Sequence, residues 1–530
     1  MLKVKSQNTI LGDMTAIRNF GMQYYQSHYF WPVPDDEYQE FVHFMHRAYI
    51  GLIIDLSDNA FDLALIEYKL VSEMFEGVFH YNYLTEFSKS NNIDLEVGIE
   101  SKSYRCPDWK KFSSFYSKQV FPFGRVKRYV RRIAKNIVFN KHLPVWKIIK
   151  GFFTSSTVVG IGSFDILKKE YVVNNNIYCD HRDWPDLISF DANVAKNNRA
   201  ANWSKEVVNK VIKPFLKEMK GHKSMFVHDV DFVVIENAWI NRVKDLSSIY
   251  SDLISTKNKP KVLLVTEMAK FHSRMITMAY QREGCRVLGF HHGNDIGLTV
   301  YETGHNVGRA HCKEIVVPTQ GIAYQFRKIY SQGLIEKRVK TKYISTNSSL
   351  YKNLATTNGC RVKRIKRIML MGTPANPNRY IHEQGQFFYI KVDLEFRIMN
   401  DLIKNGFEVV YKAHPDRLQE IEGLFESQVD EYNTEPFEKV WDSVDAYVFT
   451  DTASTTFGFS LATNKDIFLF NNATDERNPY LDSLLKKRVN LIPMFLDGKN
   501  RMQYSAMDMS ESINNPIIDL DKGFQEEVFC

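Results

Sequence analysis

From Ser155 onward the chain repeats one unit: a short run of large apolar and β-branched residues, a polar or glycine-bearing break, and a stretch with helical spacing. The runs are Ser155–Ile161, Phe232–Ile235, Lys261–Thr266, Arg286–Phe290, Glu314–Val317, Ile368–Met371, Phe407–Lys412, Ala446–Phe449 and Ile467–Phe470. They are too short for helices and apolar without alternation, so they read as strands buried on both faces. The stretches between them include Asp165–Tyr171, Leu246–Ile254, Met268–Arg282, Tyr389–Lys404, Asp416–Glu426 and one beginning near Ser454. Alternating strand and helix predict an α/β fold with mainly parallel sheets, because a helix is the usual crossover between parallel neighbours.

A chain of 530 residues exceeds what one hydrophobic core supports, so two or three domains are expected. The polar stretch Thr341–Gly359 interrupts the alternation and marks the boundary. The first α/β domain then covers 151–350, the second 360–510, and a tail 511–530. Residues 1–150 lack the alternation. Within them Glu37–Ala48 and Asp62–Phe75 carry helical periodicity, which predicts a mostly helical, aromatic-rich extension packed on the first domain.

That extension ends in an uneven charge distribution. The net charge of +7 is modest, yet no Asp or Glu occurs from Trp109 to Phe164. The same stretch holds Arg125, Lys127, Arg128, Arg131, Arg132, Lys135, Lys141, Lys147 and Lys150. Between these charges Val126, Tyr129, Val130, Ile133, Ile137, Val138 and Phe139 recur at helical spacing, forming an apolar stripe. Either the stripe packs on its own domain, or residues 125–150 lie on an anionic membrane surface. No nucleic-acid module accompanies the charge, so nucleic acid is not an expected partner.

No apolar run approaches the roughly 20 residues of a membrane span, and the first residues lack a signal-peptide core. A cytoplasmic location is expected, peripheral to the inner face of the cytoplasmic membrane if the basic segment binds lipid. Six cysteines without a CxxC pair agree with a reducing compartment.

In open parallel sheets, ligands gather beyond the carboxyl ends of the strands. The run Phe407–Lys412 leads into Ala413-His414-Pro415-Asp416. Pro415 at a helix start leaves Lys412 and His414 at an N-terminal mouth, where an anion is favoured. Ala446–Phe449 leads into Thr450-Asp451-Thr452-Ala453-Ser454-Thr455-Thr456. Hydroxyls and free N–H groups at a helix start can cradle a phosphate, and the same run also serves as a simple cap. Gly372 and Thr373, which follow Ile368–Met371, join these candidates.

A strand ending in Lys-x-His-Pro, followed by a strand ending in a Ser/Thr cluster before a helix rich in small residues, resembles bacterial glycosyltransferases of the GT-B type. More narrowly, Tyr411–Asp416, Thr452–Phe457 and Asn464-Lys465-Asp466 resemble the capsule and lipopolysaccharide group. That group includes transferases of 3-deoxy-octulosonic acid (Kdo), bacterial sialyltransferases and polymerases using CDP-activated polyols. The match covers roughly the last third of the chain.

The resemblance implies two Rossmann-like domains facing a central cleft. A nucleotide-sugar donor would sit on the C-terminal domain, with His414, Ser454 and Thr455 at its phosphate; Lys412, Pro415, Thr456, Gly372 and Thr373 complete the candidate set. A lipid-linked or polysaccharide acceptor would sit on the N-terminal domain. CMP-Kdo is the favoured donor, and UDP- and GDP-sugars are alternatives. A CDP-polyol phosphotransferase, or a non-catalytic membrane-peripheral scaffold built on the basic helix, are the alternative functions.

Glycosyl transfer needs a base for the acceptor hydroxyl, or a carboxylate nucleophile. Glu267, directly after Lys261–Thr266, ranks first, with His272 and Arg274 on the helix that follows. Asp229, Asp231 and Glu236 flank the expected strand Phe232–Ile235 and rank second. His291-His292-Gly293-Asn294 resembles the His-Gly loop of surface-polysaccharide transferases, and a neutral imidazole there can hydrogen-bond a hydroxyl or carboxylate.

Asp229-Val230-Asp231 also matches a short cation-holding pattern, but the two-domain layout argues against that use. His291, His292, His305, His311 and Cys312 lack the tight ligand spacing of a zinc site. No metal and no other cofactor is expected, since Lys412 and His414 can carry the phosphate charge. Gly160-x-Gly162 lacks the third glycine of a dinucleotide fingerprint, and no P-loop, G-x-S-x-G elbow or kinase set occurs.

Overall fold

The computed structural model describes residues 9–96, 125–153, 157–163, 165–188, 198–222, 232–268, 270–291, 296–298, 300, 309–356, 362, 364–373, 388–415, 418–452, 454–472, 477–517 and 522–529. The chain is a mixed α/β structure with parallel sheets, as the alternation predicts.

A small parallel pair, β1 (Thr9–Leu11) and β2 (Asp94–Glu96), accompanies two long helices, Asp35–Ile53 and Asp58–Asn91. The first large sheet contains β3 (Val158–Ile161), β4 (Asp180–His181), β5 (Val262–Val265), β6 (Arg286–Phe290), β7 (Glu314–Val317) and β8 (Lys342–Ser345). Its spatial order is β4-β3-β5-β6-β7-β8, with every pair parallel.

The second large sheet contains β9 (Arg367–Met371), β10 (Glu408–Lys412), β11 (Glu431–Asn433), β12 (Ala446–Phe449), β13 (Asp466–Asn472), β14 (Asn490–Leu496) and β15 (Met502–Tyr504). Its order is β11-β10-β9-β12-β13-β14-β15, and only the last pair is antiparallel. The central strands are buried along their length, which explains their unbroken apolar character.

Three expectations need correction. Phe232–Ile235 is not a strand but the first turn of the helix Phe232–Ser255. Of that run Phe232 packs partly and Ile235 fully against the core, Val233 and Val234 are exposed, and Ile235, Ala238, Trp239, Arg242, Val243 and Leu246 continue inward at helical period. The polar stretch Thr341–Gly359 is not a linker throughout, since it contains β8 and the helix Ser349–Thr356. The expected helix Asp416–Glu426 shrinks to Leu418–Ile421, and Gly423 at φ +80° lies in the turns that follow. Within the tail, the helix Gly523–Phe529 buries Phe524, Val528 and Phe529.

That last helix crosses back to the first sheet's layer and packs on the helix Gln320–Tyr330. The Thr319 hydroxyl donates to the Val528 carbonyl, and a Cβ at Gly321 would lie 2.1 Å from the Glu527 carbonyl oxygen. A side chain at position 321 would therefore push the two helices apart.

The extension packs on both large sheets' layers, not on the first alone. Arg242 donates to buried Glu67 at 2.5 and 3.0 Å, and Arg282 donates to Asp62 at 2.6 and 2.7 Å. Tyr25, Tyr29 and Trp31 cluster on Tyr389, while Asn500 Nδ2 donates to the Trp31 and Val33 carbonyls at 2.7 and 3.1 Å. Among the described residues no helix is long and apolar enough to cross a membrane.

Candidate functional site

In the second sheet, β9 is first in the chain, β10 and β11 extend to one side, and β12 onward to the other. Strand order thus reverses at the β9/β12 boundary, the place where open parallel sheets bind ligands beyond the carboxyl ends of their strands. Lys412 pairs with Met371 and Val448 with Leu370. The segments after β9, β10 and β12 thus emerge side by side, which brings Gly372, Thr373, Lys412, His414, Pro415 and Ser454–Thr456 to one edge.

Beneath that edge lies a buried polar frame. Glu395, on the helix Phe388–Lys404, accepts from Thr373 N at 3.0 Å, Thr373 Oγ1 at 2.6 Å and Tyr411 Oη at 2.7 Å. It thereby ties the ends of β9 and β10. A Cβ at Gly372 would lie 2.6 Å from Tyr411 Oη, so the glycine makes room for this hydroxyl. Four residues earlier on the same helix, Lys391 pairs with Asp451 at 2.5 Å, with both side chains buried, and so fixes the segment after β12. Thr373 is thus occupied in the frame rather than directed wholly at that edge.

Lys391 and Glu395 were not among the sequence candidates. Their signal was two opposite charges four residues apart among Val392, Leu394, Ile398 and Met399, all buried.

The candidate phosphate contacts lie above this frame. Lys412 is buried and its Nζ donates to the Ala413 carbonyl at 3.0 Å. Burial lowers its pKa, against the pull of Glu438 and Glu435. His414 is half-buried and Pro415 exposed. Ser454 caps the helix Thr455–Leu461, accepting from Phe457 N at 3.1 Å, and its hydroxyl lies 3.0 Å from Thr456 Oγ1. Thr455 and Thr456 are half-buried. Thr450 Oγ1 is buried at the end of β12 with no hydrogen-bond partner among the described residues.

The first sheet has its own reversal of strand order between β3 and β5. Gly162, at φ +87°, follows β3, and a Cβ there would lie 2.3 Å from Thr266 Oγ1 after β5. The next residue, Glu267, has φ +58°, a left-handed conformation that a residue with a Cβ adopts at a cost of about 1 kcal/mol. Its half-buried carboxylate pairs with Lys270 at 2.7 Å.

Below it, fully buried Lys168 donates to the Ile161 and Ser163 carbonyls at 2.8 and 3.3 Å, and burial lowers its pKa to about 8. His181 Nε2 lies 2.8 Å from the Gly162 carbonyl. Burial, helped by Lys168 and Lys135, lowers the His181 pKa to about 3, so its neutral ring donates to that carbonyl. His272 stacks on Trp184 at 3.6 Å, and burial lowers its pKa to about 4. Arg274 is buried on the same helix.

No protein-family model matches the chain, and no curated protein resembles it in sequence. The site therefore rests on its own geometry.

Other candidates are dispersed. Glu236 lies on the second turn of the helix Phe232–Ser255 and not at a strand end, which removes the reason for ranking it. Asp229, Asp231, His292, Gly293, Asn294 and Asp295 lie outside the described residues, as do Asp416, Ala453 and His305. His291 is buried at the end of β6, with its backbone N–H donating to the Val316 carbonyl at 2.8 Å. His311 Nε2 lies 3.1 Å from the Leu65 carbonyl, and Cys312 Sγ lies 3.4 Å from that of Val287.

The loop after β6 reaches the second sheet's layer. Asn478 N donates to the Leu298 carbonyl and Asn478 Nδ2 to that of Gly297, both at 2.6 Å. A Cβ at Gly458, on the Ser454-capped helix, would meet Ile296 at 2.9 Å. Ile296, Gly297 and Leu298, which follow β6 in the chain, thus touch the hydroxyl-bearing helix and Asn478. An edge with an ammonium, an imidazole, several hydroxyls and helix N–H groups favours an anion with several oxygens.

Proposed function

We propose that this chain is a GT-B-type glycosyltransferase, with two Rossmann-like domains, that moves a sugar from a nucleotide-activated donor to a surface-glycan acceptor. The observation that carries the reading is the convergence of the segments after β9, β10 and β12 at the strand-order reversal, each bringing a group suited to a phosphate. Lys412 and His414 balance charge as the donor phosphate departs, and the Ser454–Thr456 hydroxyls and helix N–H groups orient it. CMP-Kdo is the favoured donor, and a lipopolysaccharide or capsule chain the favoured acceptor. Glu267, at the corresponding edge of the first sheet, takes the proton of the acceptor hydroxyl.

A thermal-shift screen with CMP, CDP, UDP and GDP tests the reading. CMP at 100 times its dissociation constant raises stability by about 2.7 kcal/mol, with or without EDTA, and His414→Ala weakens the shift. Silence toward every nucleotide would refute a nucleotide-sugar donor. Response to CDP but not CMP would turn the reading to polyol-phosphate transfer.

A further inference from the structure

The helix Arg125–Phe139 docks on the first sheet with its polar side and with Phe139 at its end, which is buried against His181 and Lys168. Arg132 donates to Asp180 at 3.1 and 2.6 Å, and Lys135 pairs with Asp183 at 2.7 Å. Asn136 donates to Asp180 at 3.0 Å and accepts from His181 N at 2.6 Å, while Asn140 exchanges two 2.9 Å bonds with the Cys179 backbone. With these groups inward, Tyr129, Val130, Ile137 and Val138 face water.

The following helix, Val145–Phe153, also leaves large apolar side chains outside. It is seated through buried Ile148 and through Gly151, where a Cβ would lie 2.2 Å from the Tyr178 ring. Val145, Trp146, Ile149 and Phe153 are left exposed, Trp146 by 61% and Phe153 by 86%. Of the nineteen exposed large hydrophobic residues among the described ones, eight fall between Tyr129 and Phe153. Such a concentration marks an interaction surface, whereas the remaining eleven are spread over the chain.

Charge selects the partner. Arg131, Lys141 and Lys150 are exposed among these apolar side chains, Lys147 lies 5.8 Å from the Trp146 ring, and the sequence has no acidic residue from Trp109 to Phe164. We infer that the helix pair 125–153 is a seat for an anionic lipid bilayer. The exposed Tyr129, Val130, Ile137, Val138, Val145, Trp146, Ile149 and Phe153 enter the boundary between headgroups and acyl chains, and Arg131, Lys141, Lys147 and Lys150 meet lipid phosphates. The polar docking face accounts for the orientation, because the ion pairs to Asp180 and Asp183 hold the apolar face outward. This inference stands apart from the donor site and requires no nucleotide.

Flotation of the full chain with vesicles tests it, comparing phosphatidylcholine alone with phosphatidylcholine containing phosphatidylglycerol. The protein floats with the anionic vesicles, and raised salt weakens the binding. Trp146→Ser with Phe153→Ser, and separately Lys147→Glu with Lys150→Glu, each weaken it by about tenfold or more. Both double variants melt as the wild type does, because Trp146, Lys150 and Phe153 are exposed and Lys147 is only half-buried. Failure of the wild type to float, or flotation of both double variants at the wild-type level, overturns the inference. So does self-association in sedimentation, without flotation, that Trp146→Ser with Phe153→Ser abolishes; that result assigns the face to a second copy of the chain.

Discussion

Glu267 combines two properties that seldom coincide by accident: a left-handed backbone and a position at the strand-order reversal of its sheet. Glycine relieves the left-handed penalty of about 1 kcal/mol but adds freedom to the unfolded chain, so Glu267→Gly stays within about 1 kcal/mol of wild type. Both Glu267→Gly and Glu267→Gln lose sugar transfer under the proposed function. Transfer by Glu267→Gln at the wild-type rate would assign the base elsewhere. The exposed pair with Lys270 contributes little to stability in this comparison.

Glu76 offers a residue-scale test of the helical extension. Burial raises its pKa to about 8, Tyr38 donating at 3.0 Å opposes the shift, and Glu73 adds to it. An acid whose folded pKa exceeds its ordinary 4.5 binds more protons folded than unfolded across that window, so stability falls as pH rises toward 8. His80, buried with a pKa of about 4, works in the opposite sense below its ordinary 6.5. The window above pH 6.5 therefore isolates Glu76. There the wild type loses about 1.4 kcal/mol per pH unit relative to Glu76→Gln, up to about pH 8, measured by denaturant unfolding. Parallel curves would mean that Glu76 is hydrated.

Lys412, His414 and Ser454 could be singled out from sequence because each follows an apolar strand directly. Glu395 shows in the sequence only as a charge opposite Lys391 on an apolar helix, and its role, like that of Asp451, depends on buried partners 16 to 22 and 60 residues away.

At the scale of elements, one contact holds the ends of β9 and β10 beneath the candidate site and another docks the last helix on the first sheet's layer. Glu395→Ala leaves Thr373 and Tyr411 donors without this acceptor and costs about 3 kcal/mol or more in denaturant unfolding. A loss below about 1 kcal/mol would show that the frame relaxes around the missing carboxylate. Gly321→Ala forces the helices Gln320–Tyr330 and Gly523–Phe529 apart and costs about 1 to 3 kcal/mol. A wild-type melting curve would show that the last helix does not dock there.

The central strands were readable because burial on both faces leaves an unbroken apolar run. β4, with two residues, and β11, with three half-buried ones, offer no such run. Phe232–Ile235 misleads for a related reason: four apolar residues in a row fit a strand or one helical turn equally well. Only Trp239, Arg242 and Leu246, further along, impose the helical period. The basic helix carries a stripe at clear helical spacing, but which side faces the domain depends on Asp180 and Asp183, some 48 residues away.

At the scale of the whole molecule, the N-terminal extension and the last helix both cross between the layers of the two large sheets. Tyr25, Tyr29 and Trp31 reach Tyr389, Arg242 and Arg282 hold the extension's long helix, and Val528 meets Thr319. None of these ties follows from local pattern, because each joins residues hundreds of positions apart or requires the sheets to be assembled first. Such interlocking predicts a single calorimetric transition, with agreement between calorimetric and van 't Hoff enthalpies. Two separated transitions would show that the layers unfold independently.

The central claim is that the segments after β9, β10 and β12 hold the donor nucleotide. Amide hydrogen exchange of the full chain, with and without the nucleotide that most raises its melting temperature, addresses it at peptide resolution. The account predicts slower exchange in peptides covering Met371–Thr373, Lys412–His414 and Thr450–Phe457, with the outer strands β14 and β15 unchanged. Protection elsewhere, with these three segments exchanging as in the free protein, would contradict it.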